Sequence, residues 1–248
     1  MYLVDESERG NSRLVLRSIA VLALVSLQVA CTHWTDSPQP SQSEGSATTP
    51  VVLPEPRFES HTSLEQSLLE RRSVRTYLPE PLELAQVSQL LWAAQGITGP
   101  DGLRTSPSAG ALYPLEIYML AGNVNSLAPG IYRYLPEPHA LVQVAGGDQR
   151  PALHAAALEQ DAILEAAAVI IISAVPDRTR NKYGDRGERY VHMEVGCVSQ
   201  SIYLQAGALD LGTVFIGAFD DEAVRELLGA GEEQDPLGLM PVGKKRDE

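Results

Sequence analysis

The sequence predicts an α+β fold in which helices sandwich a sheet and one long helix runs through the centre. Three observations carry this. Segments of helical and of strand periodicity are interspersed without the regular βαβ alternation of a doubly wound fold. Ala168 to Val175 is an unbroken apolar run rich in Ile and Val, the pattern of a strand buried on both faces. Arg186 to Leu209 contains no proline, and its apolar positions suit a long buried helix.

The elements follow in order. Ser63 to Arg72 reads as a helix, with Ser63 as N-cap and Leu64, Leu68 and Leu69 on one face. Pro79 and Pro81 interrupt the chain before Leu84, Val87, Leu90, Leu91 and Ala94 recur at helical spacing, ending at Gly96. Gly99 to Gly110 is a Gly/Pro/Ser loop and Glu116 to Ala121 a strand. Gly130 to Tyr134 and Leu141 to Val144, joined through Pro136 and Pro138, form a hairpin. Pro151 to Leu158 is helical. Thr213 to Phe219 reads as a strand, Asp220 to Leu228 as a short helix capped by Asp220, and Leu237 to Val242 as a last strand.

The domain begins at about residue 58. Arg13 and Arg17 precede an apolar run, Ser18 to Val29, that ends at Ala30-Cys31, the pattern of a secretory signal over residues 1–31. The run is shorter than the ~20 apolar residues that span a bilayer. Cys31 resembles the lipidated cysteine of bacterial lipoproteins, although Gln28 stands where that pattern has Leu; a plain cleaved signal and an unused start are the alternatives. Residues 32–57, rich in Ser, Thr, Pro and Gln, read as a flexible tether, since few of their side chains offset the entropy of ordering. The expected location is therefore outside the cytoplasm, facing the periplasm on a lipid anchor, or the cytoplasm if the signal is not used.

Charge and composition exclude several functions. The 248 residues carry a formal charge of −13, which opposes nucleic-acid binding and attraction to anionic membranes. Two cysteines make neither a disulfide scaffold nor a four-thiolate zinc site. His33, His61, His139, His154 and His192 lack ligand spacing, so no metal is expected. Gly238 to Lys244 matches most of a phosphate-binding loop, but Lys245 stands in place of the magnesium-binding hydroxyl and no helix can follow. Ser199 and Ser201 lack a nucleophile elbow. Cys197 reads as a buried structural thiol and His192 as a packed or surface helix residue.

Two stretches remain. Arg71-Arg72-Ser73-Val74-Arg75 places three guanidiniums and a hydroxyl within five residues of an acidic chain. Such a cluster suits a phosphate group, and equally suits a solvated basic helix end. Pro107-Ser108-Ala109-Gly110-Ala111-Leu112-Tyr113-Pro114 is a loop of small residues that lets a backbone approach a flat ligand, or an ordinary turn.

Taken in order with Asn181 to Arg186, the helix from Glu194-Val195-Gly196 to Gln200 and Leu204, and Ile216-Gly217-Ala218-Phe219, these stretches resemble the nitroreductase superfamily of FMN enzymes. The likeness is to its SagB-type branch, related to azoline oxidases, and covers about residues 63–244. The resemblance implies a mixed sheet sandwiched by helices, an intertwined homodimer and bound FMN. It assigns Arg71, Ser73 and Arg75, with Arg72 close by, to the FMN phosphate and ribityl chain, and Pro107, Ser108 and Ala109 to packing on the flavin from the partner subunit. It places the backbone of Gly217 and Ala218 near the redox edge, Lys244 as a further cation, and Lys182 with Tyr183 as a catalytic pair. Ala111 stands where many nitroreductases carry Asn, which favours the SagB-type branch.

The implied activity is an FMN-dependent oxidoreductase that dehydrogenates a small-molecule or peptide substrate. Tyr183 is the candidate base, since a neighbouring ammonium favours the anionic form of a phenol; an exposed turn is the alternative. An NAD(P)H-dependent nitro or quinone reductase and a non-catalytic surface lipoprotein are the competing readings.

Overall fold

The computed structural model describes residues 49–246. The signal segment 1–31 with Cys31, and residues 32–48 of the tether, lie outside the described residues. The described part has strands β1 (Val51–Val52), β2 (Leu115–Ala121), β3 (Gly130–Leu135), β4 (Ala140–Gly146), β5 (Ala168–Ala174), β6 (Leu211–Thr213) and β7 (Asp235–Lys244). Its helices are α1 (Leu64–Glu70), α2 (Leu84–Gln95), α3 (Arg150–Ala156), α4 (Ala162–Glu165), α5 (Asp177–Tyr183), α6 (Arg186–Ala208) and α7 (Asp221–Leu227).

The strands form one sheet in the order β1-β4-β3-β2-β5-β7-β6. Every named pair is antiparallel, and parallel pairing is confined, among the described residues, to the isolated Leu82–Val124 bridge. β5 lies between β2 and β7, and all its residues are buried. The period of two then divides its side chains. Ala168, Ile170, Ile172 and Ala174 face the layer built by α2 and α6; Val169 and Ile171 face α3, α4 and α7. Both faces are apolar because both are covered, and this produces the continuous Ile/Val run.

Several expectations are refined. Ser63 does cap α1, its hydroxyl accepting from Gln66 N–H at 3.1 Å, but Leu64, Leu68 and Leu69 stay exposed. Val51 pairs with Leu141, and Leu53 is buried with its N–H donated to the His139 carbonyl, so residues read as tether contribute an edge strand. Thr213 to Phe219 is not one strand: β6 stops at Thr213, and Ile216 returns to the sheet through a bridge to Leu239. α6 is continuous over its 23 residues but buries one side only. Val191, Val195, Val198 and Ile202 face the sheet, while His192, Met193, Gly196, Cys197 and Gln200 are exposed. Cys197 is thus an exposed thiol, not a buried one, because the helix turn puts it opposite Val195 and Val198. Both α4 and α5 went unread, being short and without strong apolar periodicity.

Candidate functional site

The Arg71–Arg75 segment leaves the end of α1 and crosses the open edge at β6. Val74 N–H donates to the Thr213 carbonyl at 2.9 Å, and Leu78 N–H to that of Lys244 at 3.0 Å. This close approach needs a bare backbone beside it, since a Cβ on Gly212 would lie 2.6 Å from Val74 Cγ1. Tyr77, fully buried, reaches back from the same segment, and its hydroxyl contacts the Val74 and Pro241 carbonyls at 2.7 and 3.1 Å. The arginines are therefore held on a pinned backbone.

The result is a cleft of ≈ 550 Å³ lined by Arg71, Arg72, Ser73, Arg75, Tyr203 and Thr213, with Lys245 and Arg246 at its side. Among the described residues no carboxylate pairs with Arg71, Arg72 or Arg75. Arg72 donates to the Leu69 and Arg71 carbonyls at 3.2 and 2.8 Å, closing the end of α1, and Glu70 also borders the cleft. Arg71 and Arg75, without carboxylate partners in a chain of net charge −13, mark a place for an anion. The hydroxyl of Thr213 is buried and has no hydrogen-bond partner among the described residues. A buried polar atom without a partner is costly, and this one lies just behind the cleft wall, out of reach of the open cleft. Arg71 and Arg75 with the Ser73 hydroxyl between them fit a phosphate-bearing group.

Lys244 lies outside this cleft. Its ammonium pairs with Glu80 at 2.7 Å, an exposed contact, and that partner raises its pKa. Strand alternation instead brings Lys245 to the cleft, where it also meets Asp210 at 3.2 Å. The glycines that mimic a phosphate-binding loop serve packing. A Cβ on Gly238 would strike the Phe215 ring at 2.4 Å, and one on Gly243 would lie 2.8 Å from Tyr77 Cβ.

The small-residue loop gathers a second cluster. Gly110 has φ +63°, and a Cβ there would sit 2.7 Å from Tyr183 Oη and 2.8 Å from Lys182 Nζ. Both polar tips thus converge on one glycine of the Pro107–Pro114 loop. Lys182 Nζ lies 5.4 Å from the Tyr183 ring centroid, and Tyr190 meets Tyr183 edge-on at 5.2 Å, which fixes the ring. Gly184, at φ +59°, ends α5 directly after the pair.

The loop is anchored on α6 by a buried polar network. Glu194 accepts a hydrogen bond from Ser108 and another from Gln95 at 3.3 Å; burial is the largest influence on its carboxyl and raises its pKa. Ser108 Oγ also accepts from Tyr113 N–H at 2.9 Å, and Arg104 donates to Gln95 at 2.9 Å. Glu194 stands near the start of α6, whereas Tyr203 and Gly207 at its other end line the cationic cleft. At 1.5 Å per residue the two clusters of one chain are roughly 14–20 Å apart along the helix.

Gly217 and Ala218 are exposed in the segment that follows β6, with the Ala218 carbonyl accepting from Gln160 at 3.0 Å. The structure therefore brings Arg71, Arg72, Ser73 and Arg75 together, and separately Lys182, Tyr183 and the Pro107–Ala109 loop. Sequence reasoning missed Tyr203, Thr213, Lys245 and Arg246. Only the last two carried a local signal, as basic residues adjoining Lys244. No group of three His, Cys, Asp or Glu among the described residues is placed to hold a metal. No described helix is long and apolar enough to cross a membrane.

Comparison with known proteins identifies the family. The Nitroreductase family model matches residues 68–244. A nitroreductase-family protein of Methanocaldococcus jannaschii is 50% identical over 182 residues, covering 73% of this chain and 91% of its own. A nitroreductase-like crystal structure from Anabaena variabilis is 30% identical with TM-score 0.71; it covers 80% of this chain, which spans only 42% of that longer protein. The Escherichia coli microcin synthetase McbBCD complex with truncated pro-MccB17 bound is 25% identical with TM-score 0.64, covering 79% of this chain and 78% of the matched one. The chain belongs to the nitroreductase family, a family of oxidoreductases.

Proposed function

We propose that this protein is an FMN-dependent oxidoreductase of the SagB type that dehydrogenates a small-molecule or peptide substrate. The observation that carries the cofactor is the cleft lined by Arg71 and Arg75, neither of which pairs with a carboxylate among the described residues. Arg71 and Arg75 bind the phosphate oxygens, Ser73 adds a neutral donor, and Lys245 adds charge. FMN held there would supply hydride transfer through its N5. The exposed backbone at Gly217 and Ala218 would orient the reacting end of the flavin.

As its phenolate, Tyr183 would take up the proton released when the substrate loses its hydride, and Lys182 would supply a positive charge beside that oxygen. Convergence of both tips on Gly110 supports this pairing, as does the likeness to a microcin synthetase solved with a pro-peptide bound. The peptide reading rests on that likeness.

The second copy completes the site. α1 packs on α6, and the surface of these two helices carries the exposed apolar side chains of Leu64, Leu68, Leu69 and Met193. A homodimer closed over α6 covers it and brings the Pro107–Ala109 loop of one copy toward the flavin of the other. A lipid anchor at Cys31, facing the periplasm, is part of the same proposal.

The decisive experiment is the visible spectrum of the full-length protein after incubation with FMN. Flavin absorption that survives gel filtration, and is lost in Arg71→Ala with Arg75→Ala, is the expected result. Protein that stays colourless overturns the proposal. With flavin bound, Tyr183→Phe is expected to abolish substrate-dependent bleaching under anaerobic conditions while the flavin remains bound. Unchanged bleaching removes the base assignment.

A further inference from the structure

Tyr203 stands on α6 where the helix reaches the cationic cleft, and it ties three separate segments together. Its hydroxyl oxygen is 2.7 Å from Phe215 N and 3.1 Å from Ser73 Oγ. The guanidinium carbon of Arg71 lies 5.1 Å from its ring centroid. We propose that Tyr203 makes this cleft selective for a phosphorylated flavin over an unphosphorylated one, by aiming a hydroxyl proton of the Tyr203–Ser73 pair at the phosphate. The inference rests on the FMN reading above and deepens it.

The donors and acceptors at Tyr203 and Ser73 give it this role. A backbone N–H only donates, so the Tyr203 oxygen accepts from Phe215. Tyr203 and Ser73 carry two hydroxyl protons between them, and their mutual bond uses one. The other has no acceptor among the described residues. An N–H donating into the Tyr203 oxygen polarises its O–H and makes it the stronger donor of the two. Tyr203 therefore donates to Ser73, and the proton left over is that of Ser73, which is exposed in the cleft between Arg71 and Arg75. An anion there receives a charge-assisted hydrogen bond from a hydroxyl that the Tyr203 bond already constrains.

The ring acts on Arg71 in a compatible way. Its face holds the guanidinium by a cation–π contact and uses none of the guanidinium's positive charge in an ion pair, so that charge stays available to the ligand. A phosphate monoester draws on both effects. The terminal hydroxyl of riboflavin is neutral and draws on neither to the same extent.

The test uses full-length protein stripped of flavin and titrated with FMN and with riboflavin by fluorescence quenching. Wild type, Tyr203→Phe, Ser73→Ala and the double variant are compared. Wild type is expected to prefer FMN. Tyr203→Phe keeps the ring but removes the bond that orients the Ser73 hydroxyl; it is expected to weaken FMN by up to about tenfold, the scale of one hydrogen bond to a charged group, with riboflavin changed less than about twofold. Ser73→Ala is expected to lose a similar factor, and the double variant no more than the larger single loss, because both substitutions break one chain of bonds. An unchanged FMN-to-riboflavin ratio in Tyr203→Phe, or losses that multiply in the double variant, overturns the inference while leaving FMN binding intact. Wild type that binds neither flavin overturns the cofactor reading and this inference together. Ser73→Ala removes only an exposed hydroxyl, so an unchanged ratio in that variant alone refutes the proposal even if Tyr203→Phe does not fold.

Discussion

Tyr77→Phe removes one oxygen from the interior and tests how the arginine segment is held. The hydroxyl is buried, 2.7 Å from the Val74 carbonyl and 3.1 Å from that of Pro241. Phenylalanine fills the same volume, so no cavity opens and the packing against Gly243 persists. The loss is that of one buried hydrogen bond plus the cost of leaving its acceptors short of a donor, about 2 kcal/mol in all. For a domain of this size each kcal/mol moves Tm by ~2–4 °C, so the expected fall is ~4–8 °C. Thermal melts followed by circular dichroism, with a urea titration as a second measure, read this directly. Freeing the Val74 carbonyl also loosens the backbone between Ser73 and Arg75, so FMN affinity is expected to fall in the same variant. A Tm within ~1 °C of wild type would show that the two carbonyls find other donors and that the pinning argument is wrong.

Three further outcomes follow from the same geometry. Gly110→Ala puts a methyl group at φ +63° and within 2.8 Å of two polar tips; it is expected to lower turnover on the order of 10²-fold by displacing Lys182 and Tyr183, with FMN affinity much less affected. Glu194→Gln alters the pH dependence of stability. The folded carboxyl has its pKa raised above the unfolded value of about 4.3, so its favourable contribution is full below that pH and is lost as pH rises through the folded pKa. Urea midpoints measured from pH 4 upward should show wild type losing ground to the glutamine variant as pH rises, and a pH-independent difference would refute the assignment. Lys245→Ala is expected to weaken FMN several-fold while Lys244→Ala leaves it unchanged, because only Lys245 lines the cleft; isothermal titration of both variants decides it.

Much of the fold was legible because its signals are local. The Ile/Val run at Ala168–Ala174 announces a strand covered on both faces, and Ser63, Gly96 and Asp220 sit where the helix boundaries fall. What failed depended on neighbours far along the chain. Val51 and Val52 look like tether until β4 offers them a free edge. Cys197 looks buried until the phase of α6 against the sheet is known. Thr213 to Phe219 has strand composition throughout, yet pairing with β7 breaks after Thr213 and resumes only at Ile216.

The site divides in the same way. The sequence by itself determined that Arg71, Arg72, Ser73 and Arg75 form a basic cluster in an acidic chain, and that a loop of small residues lies at Pro107–Pro114, since five or eight consecutive residues suffice to show each. Only the tertiary structure decided that the guanidiniums lack carboxylate partners, that Tyr203 from a helix 130 positions away meets Ser73, and that Lys245 rather than Lys244 joins them. Composition and spacing report which groups the chain carries. Whether a charge is neutralised, or a hydroxyl left with a proton to give, depends on which side chains the folded sheet and helices bring within about 3 Å, and that is settled by packing.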